Sequence, residues 1–96
     1  MSLHPQIVAL AAQMEDLSIF LRSHGDRIWS GRIDLCRHLV ADSNFAGVER
    51  FLRLFEGEAN LGEVTLGNPA ADARLGDLRK SARALADRLA KEEGAD

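Results

Sequence analysis

The sequence predicts an all-α fold, a single compact bundle of four main helices, and three observations support this class. Apolar residues recur every three or four positions along most of the chain. Glycine, asparagine and proline cluster where that spacing is interrupted. Only Val64 and Thr65 suggest extended backbone, and no other segment offers a partner strand.

The chain has 96 residues, of which 46% are hydrophobic, enough to fill one modest core. We expect one helical domain over residues 1–96, frayed at 1–3 and 94–96. Cys36 is the single cysteine, which fits a reducing compartment. The start lacks the pattern of a signal peptide, and no uncharged run approaches the roughly 18 residues that span a bilayer. These features predict a cytoplasmic protein that does not act on a membrane.

The first helix is expected over about residues 4–24. Pro5 suits its first turn, where a missing N–H has no helical partner to lose. Gly25 follows the last turn and can adopt the left-handed conformation that ends a helix. The face expected to enter the core carries Ile7, Leu10, Ala11, Met14, Leu17 and Leu21.

The second helix, over about residues 26–42, is capped by Asp26 and carries two adjacent apolar strips. Arg32 lies between the strips and interrupts the apolar arc. Either its stem lies along the core edge with the guanidinium in water, or it is partly buried and paired with a carboxylate. The strips consist of Trp29, Ile33, Cys36 and Val40, and of Ile28, Leu35 and Leu39.

The third helix is expected over about residues 44–56, with Ser43 or Asn44 as its cap. Its apolar residues cover more than half of its circumference. This helix is therefore either buried on several sides or exposes an apolar patch to a partner. Phe51 and Leu54 point furthest from its main strip and are the candidates for that patch.

Residues 57–67 form a glycine-rich turn that contains a short helical segment. Gly57 is expected to stop the third helix, and Asn60 and Glu63 have the spacing of a capping box. Asn68 and Pro69 then open the last helix, over about residues 69–93. Its apolar stripe consists of Ala71, Leu75, Leu78, Ala82, Leu85, Ala86 and Leu89. We expect the two long terminal helices to pack antiparallel around the two middle ones.

Charge argues against nucleic acid as a partner, since the formal net charge is −3 and nonspecific binding depends on neutralising phosphates. Six arginines and no lysine occur between Arg22 and Arg53, and arginine suits bidentate pairing with carboxylates. We expect these arginines to form solvated surface with internal ion pairs. The arginine-rich middle of the chain is also one reason to expect an interaction protein.

The glycine-rich turn lacks the residues that a phosphate or calcium site needs. It resembles a phosphate loop in its glycines, but its three glutamates, Glu56, Glu58 and Glu63, would repel an anion. Those glutamates form too sparse a set for a calcium site. Cys36 lies on the apolar strip and His38 is on another face of the helix, so no nucleophile and base pair up. We therefore predict no catalytic residue, no metal and no cofactor.

The chain contains a pattern that consists of Trp29 with Ile33, then Leu54-Phe55, Gly57, Asn60-Leu61, Glu63-Val64 and Leu66. This pattern resembles a family of small bacterial proteins of unknown function. The likeness covers about residues 20–90. The family often has two adjacent glycines and an aspartate, where this chain has Glu56-Gly57 and Glu63. The resemblance implies an all-helical domain with a shared glycine turn, and it transfers no catalytic residue.

The sequence thus favours a small non-enzymatic interaction protein of bacterial type, which binds another protein or itself as a homodimer. An antagonist of a toxin, of the immunity type, is one subclass, by analogy with other small acidic binders. The alternative is a ligand- or metal-binding module that uses the glutamates and glycines of residues 56–63. The candidate residues for an interaction or a buried ion pair are Arg32, Phe51, Leu54, Glu56, Glu58 and Glu63.

Overall fold

A computed structural model describes residues 5–94, and the side chains of residues 5–92. Along the chain, the described residues form four α-helices and one 3₁₀ turn, and none of them forms a strand. The predicted all-α class is confirmed. The helices are α1, Pro5–Ser23; α2, Arg27–Ala41; α3, Ala46–Arg53; and α4, Pro69–Gly94, with the 3₁₀ turn at Leu61–Glu63.

The ends of α1, α2 and α4 lie within one residue of prediction, whereas α3 is shorter than the predicted 44–56. After Arg53 the backbone tightens, because the N–H groups of Phe55 and Glu56 donate to carbonyls three residues back. The Leu54 carbonyl oxygen instead accepts from the N–H of Leu61 at 2.7 Å. A carbonyl used by the following segment cannot continue the helix. Gly94 is still helical, and the predicted fraying at 1–3 and 95–96 lies outside the described residues.

Side-chain caps fix the starts of α2 and α4 at the predicted positions, whereas the N-cap of α3 is Phe45 in place of the predicted Ser43 or Asn44 and makes no side-chain cap hydrogen bond. The Asp26 carboxylate accepts from the N–H of Trp29 at 2.9 Å, and Asn68 accepts from the N–H of Ala71 at 3.0 Å. At the end of α1, Gly25 has a φ of +89°. The α2 terminus uses the same left-handed geometry at Ser43, with a φ of 59°, although serine has no special tolerance for it.

The core lies between α1, α2 and α4, and α3 closes it from the side of α2 and α4. The first and last helices, α1 and α4, pack against each other. In addition, α1 packs against α2, and α4 packs against α3. Each helix therefore contributes one buried stripe, as expected for an amphipathic bundle. The fully buried side chains include Leu10, Met14, Leu17, Leu21, Ile33, Val40, Val48, Phe51, Leu61 and Leu75.

Two serines are buried where α1 meets α2. The hydroxyl oxygens of Ser18 and Ser30 lie 2.7 Å apart, and the Ser18 hydroxyl also donates to the Ser30 carbonyl oxygen at 3.2 Å. Both side chains are 1% exposed. Each hydroxyl therefore satisfies the other, which removes the free-energy cost of burying an unpaired polar group.

Gly47 sets the distance between α2 and α3. A Cβ atom built there would lie 2.7 Å from the Cys36 carbonyl oxygen and 2.8 Å from the Val40 nitrogen. Both are backbone atoms, so a side-chain rotation cannot relieve the contact. The two helices can lie this close only because residue 47 has no side chain.

The segment between α3 and α4, residues 54–68, is fastened to α4. Arg79 donates through one guanidinium nitrogen to the carbonyl oxygens of Leu61 at 3.0 Å and Val64 at 3.2 Å. The Asp72 carboxylate accepts from the N–H of Leu66 at 2.6 Å. We call this part of the chain the connecting segment; its Leu61 side chain is fully buried.

The capping box predicted within the connecting segment is wrong. The Asn60 side chain accepts from the N–H of Gly62 at 2.7 Å, one residue short of Glu63. Its amide nitrogen donates back to the Gly57 carbonyl oxygen at 2.7 Å. Asn60 therefore closes a tight turn on both sides, and the short helical segment is the 3₁₀ turn that ends at Glu63.

Replacing Gly47 with alanine is expected to destabilise the protein by about 1–3 kcal/mol, because α3 must move away from the α2 backbone. Gly31 in α2 is the matched control, since a Cβ there meets nothing within 4 Å. Gly31→Ala should raise stability by up to about 1 kcal/mol through helix propensity. Urea unfolding of both variants measures this, and a shift of the same sign in both would contradict the close-approach argument.

Replacing Arg79 with methionine is expected to lower the free energy of unfolding by about 1–3 kcal/mol, because two carbonyl oxygens lose a charged donor while the aliphatic stem is kept. Arg88→Met, on an exposed part of the same helix, is the control and should change stability by less than about 0.5 kcal/mol. Hydrogen exchange should show faster exchange at Leu61 and Val64 in Arg79→Met alone. Equal losses in both variants would count against this anchor.

Candidate functional site

The second of the two apolar strips predicted on α2 faces solvent at two of its three residues, whereas the third, Leu39, is half-buried beside Gly47. Trp29, Ile33, Cys36 and Val40 pack into or against the core, as expected. In contrast, Ile28 is 69% exposed and Leu35 is 62% exposed. Arg32 lies between them on the same side of the helix and is also exposed. We call Ile28, Arg32 and Leu35 the outer strip of α2.

Arg32 is not buried and paired, so that alternative is wrong. Its guanidinium carbon lies 4.7 Å from the centroid of the Trp29 ring, a cation–π arrangement. Trp29 is half-buried and borders the connecting segment near Val64 and Thr65. The ring therefore holds Arg32 against the surface while its charge stays in water.

A groove opens beside the outer strip, where α3 crosses α2. Its volume is about 260 Å³. Leu35 and Leu54 supply apolar walls, and the nearly buried Cys36 also borders it. Arg32, Arg50 and Arg53 complete the lining, and we call this feature the arginine groove.

The three arginines of the groove are not neutralised by the fold. In the part of the chain that the structure describes, no carboxylate oxygen lies within 4 Å of their guanidinium nitrogens. Of the other three arginines of the same sequence run, Arg22 and Arg37 have a carboxylate partner, whereas Arg27 has none among the described residues. Asp34 lies 3.5 Å from Arg22 and 3.7 Å from Arg37. The groove therefore combines unpaired positive charge with an apolar surface.

Cys36 contributes shape to the groove and no reactive thiolate. Burial raises the pKa of its thiol to about 11, and the nearby positive charge of Arg50 offsets only part of that shift. Since the thiolate is the nucleophilic form, the side chain is protonated at neutral pH and behaves as a small apolar group.

The two patch candidates on α3 differ in outcome. Phe51 is fully buried and makes an edge-to-face contact with Phe55, with ring centroids 5.5 Å apart, so its assignment to a surface patch is wrong. Leu54 is half-buried and lines the arginine groove. The difference arises because α4 covers the far side of α3, which the pattern of a single helix does not reveal.

The glutamates of the connecting segment form no cluster. Glu56, Glu58 and Glu63 are all exposed, and none pairs with Arg32. Among the described residues, no three His, Cys, Asp or Glu side chains come together as metal ligands would. These carboxylates therefore lie on the solvent side of a segment whose backbone is held by Arg79 and Asp72.

Sequence reasoning missed Arg50 and Arg53 as members of a site, although it noted the run of six arginines. The available signal was their spacing of three residues, which places both on one side of α3. What the sequence does not contain is the crossing of α3 over α2, which brings them beside Arg32. Leu35, on the second apolar strip, was assigned to no site for the same reason.

Comparison of the chain with models of protein families, with curated proteins and with solved structures finds no match. The resemblance to a small bacterial family therefore stays a prediction. No helix in the described range is both long and apolar enough to cross a membrane.

Replacing Arg32 with methionine is expected to change the free energy of unfolding by less than about 1 kcal/mol, because an exposed cation–π contact is weak and no buried carboxylate loses its partner. Arg79→Met provides the contrast, since that arginine holds two carbonyl oxygens. Chemical denaturation of the two variants side by side measures the difference. A decrease of about 3 kcal/mol in the free energy of unfolding of Arg32→Met would instead indicate that Arg32 takes part in a buried ion pair.

Proposed function

We propose that this chain is a small non-enzymatic protein-interaction module that binds its partner through the outer strip of α2 and the arginine groove. One observation carries the proposal. Two large aliphatic side chains on one face of α2, Ile28 and Leu35, are each more than 60% exposed. Leu35 also borders a groove with three arginines that no carboxylate of the described chain neutralises.

The composition of this surface supports protein binding. Apolar side chains beside arginine are typical of the centre of a protein interface, where arginine contributes both charge and contact area. A single exposed leucine is ordinary on any surface, so the argument depends on proximity. Ile28 and Leu35 lie two turns apart on one helix face with Arg32 between them, and Leu54 continues the apolar surface across the groove.

The alternative, a ligand- or metal-binding module built on residues 56–63, has less support. Its three glutamates are dispersed in solvent, and the backbone of that segment is already engaged by α4. The segment supports the proposed surface in another way. It borders Trp29, and Trp29 in turn positions Arg32.

An immunity-type antagonist is one subclass that fits a small acidic protein with such a surface, by analogy alone. Self-association is the other form of the proposal. In both cases the outer strip of α2 becomes buried, so a probe placed there reports the interaction whichever partner is bound.

Site-specific photo-cross-linking tests the proposal. A photoreactive phenylalanine analogue replaces Leu35 in the full chain, expressed in the cells that naturally make it. Val8 on α1, which is 51% exposed, is the matched control position. Position 35 should give a discrete adduct and position 8 should not. Adding Arg50→Gln and Arg53→Gln to the Leu35 probe should reduce the adduct by about fivefold or more.

Two results would contradict the proposal. One is the same adduct pattern from positions 8 and 35, which would indicate nonspecific collision. The other is an adduct from position 35 that is unchanged by loss of both arginines, because the groove would then play no part in binding.

A further inference from the structure

We propose that the partner presents an acidic amphipathic helix, which lies along the outer strip of α2 with one apolar side chain in the arginine groove. This inference rests on the proposed function and adds the chemistry of the bound element. The size of the groove, the direction of the outer strip and the sign of the charge support it.

The size of the groove favours a side chain over a free small molecule. Its volume of about 260 Å³ lies below the roughly 300–1,000 Å³ that is usual for small-molecule sites. Leu35, Leu54 and Cys36 line it with apolar atoms. One large aliphatic or aromatic side chain fits within such a space, and the rest of the contact would then come from the neighbouring surface.

The outer strip gives that surface a length and a direction. Ile28 and Leu35 are seven residues apart, so they lie about 10 Å apart along the axis of α2. Two apolar contacts at this separation match the i and i+7 positions of a second helix packed along the first. A partner helix with apolar residues at i, i+3 or i+4, and i+7 would cover both side chains and reach the groove.

The charge selects an acidic partner. Arg32, Arg50 and Arg53 surround the apolar contact, and no carboxylate of the described chain lies within 4 Å of them. Guanidinium groups pair with carboxylates in bidentate geometry. Glutamates that flank the apolar positions of the partner helix would meet these arginines at the edge of the contact.

A second copy of this chain fits the surface less well. A two-fold dimer applies the same patch to itself, so that the arginines of both copies would converge on one contact. Opposed like charges at an interface are unfavourable. Nucleic acid is also less favoured, because the chain has a net charge of −3 and the groove offers no aromatic ring for base stacking.

The test uses two stapled helical peptides of about 18 residues, roughly five turns. Both carry leucines at i, i+4 and i+7, and the flanking residues are glutamates in one and glutamines in the other. Fluorescence anisotropy with the full chain should show the glutamate peptide binding about tenfold more tightly at low salt. The difference should shrink to less than about threefold at about 0.5 M NaCl, where exposed charges are screened.

Charge reversal guards against loss of fold. The Arg50→Glu/Arg53→Glu variant should prefer a third peptide in which lysines replace the glutamates, a gain that an unfolded chain would not show. The control is Arg74→Glu/Arg88→Glu on exposed positions of α4, which changes the net charge equally and should keep the preference for glutamate.

Equal affinity for the glutamate and glutamine peptides would overturn the inference. A single-stranded oligonucleotide that displaces the glutamate peptide at a lower concentration than unlabelled peptide does would also overturn it. So would sedimentation that shows a dimer of the chain, if the Arg50→Glu/Arg53→Glu variant is a monomer. Any of these results, together with an arginine-dependent adduct at position 35, would refute the acidic helix as the bound element and leave the proposed function standing. Absence of that adduct as well would refute the proposed function too.

Discussion

The close approach of α3 to α2 at Gly47 is the constraint on which the rest of the structure depends. With no side chain at residue 47, α3 rests on the backbone at Cys36 and Val40. Val48 and Phe51 of α3 are fully buried, and the arginine groove lies where α3 crosses α2. Packed helices are close to rigid, so the groove has a defined shape before any partner arrives. A larger residue at 47 would change the core and the groove together.

Seven of the ten arginines fall into three groups, which the structure separates by their surroundings. Arg22 and Arg37 share Asp34, and these partly exposed pairs contribute little to stability. Arg79 and Arg83 hold the connecting segment, the first through two carbonyl oxygens and the second by lying 4.8 Å from the Phe55 ring centroid. Of the groove arginines, Arg50 and Arg53 do neither, and Arg32 lies over the Trp29 ring. Their charge is directed to solvent beside apolar side chains, and it is this combination that favours recognition over stability.

The connecting segment has a structural role that depends on its backbone, whereas its glutamates face solvent. Its backbone is held by Asn60, Asp72 and Arg79, and Leu61 fixes it to the core. The glutamates remain in water, where they offset the basic charge of the arginine run and bring the chain to a net negative value. The segment borders Trp29 and so helps to define the position of Arg32. Its influence on the proposed surface is therefore through packing.

The sequence by itself determined the helices, their caps at Asp26 and Asn68, and the buried stripes of α1 and α4, because periodicity and capping act within one element. It also identified Arg32 as a residue that interrupts an apolar arc. Only the tertiary structure decided which strip of α2 would be buried, since two adjacent strips are equivalent until a neighbour packs on one of them. The tertiary structure also decided that Phe51 is buried, because α4 packs against α3. It likewise placed Arg50 and Arg53 beside Arg32, because α3 crosses α2. A helical pattern specifies directions around its own axis, whereas a site between helices depends on how two axes cross.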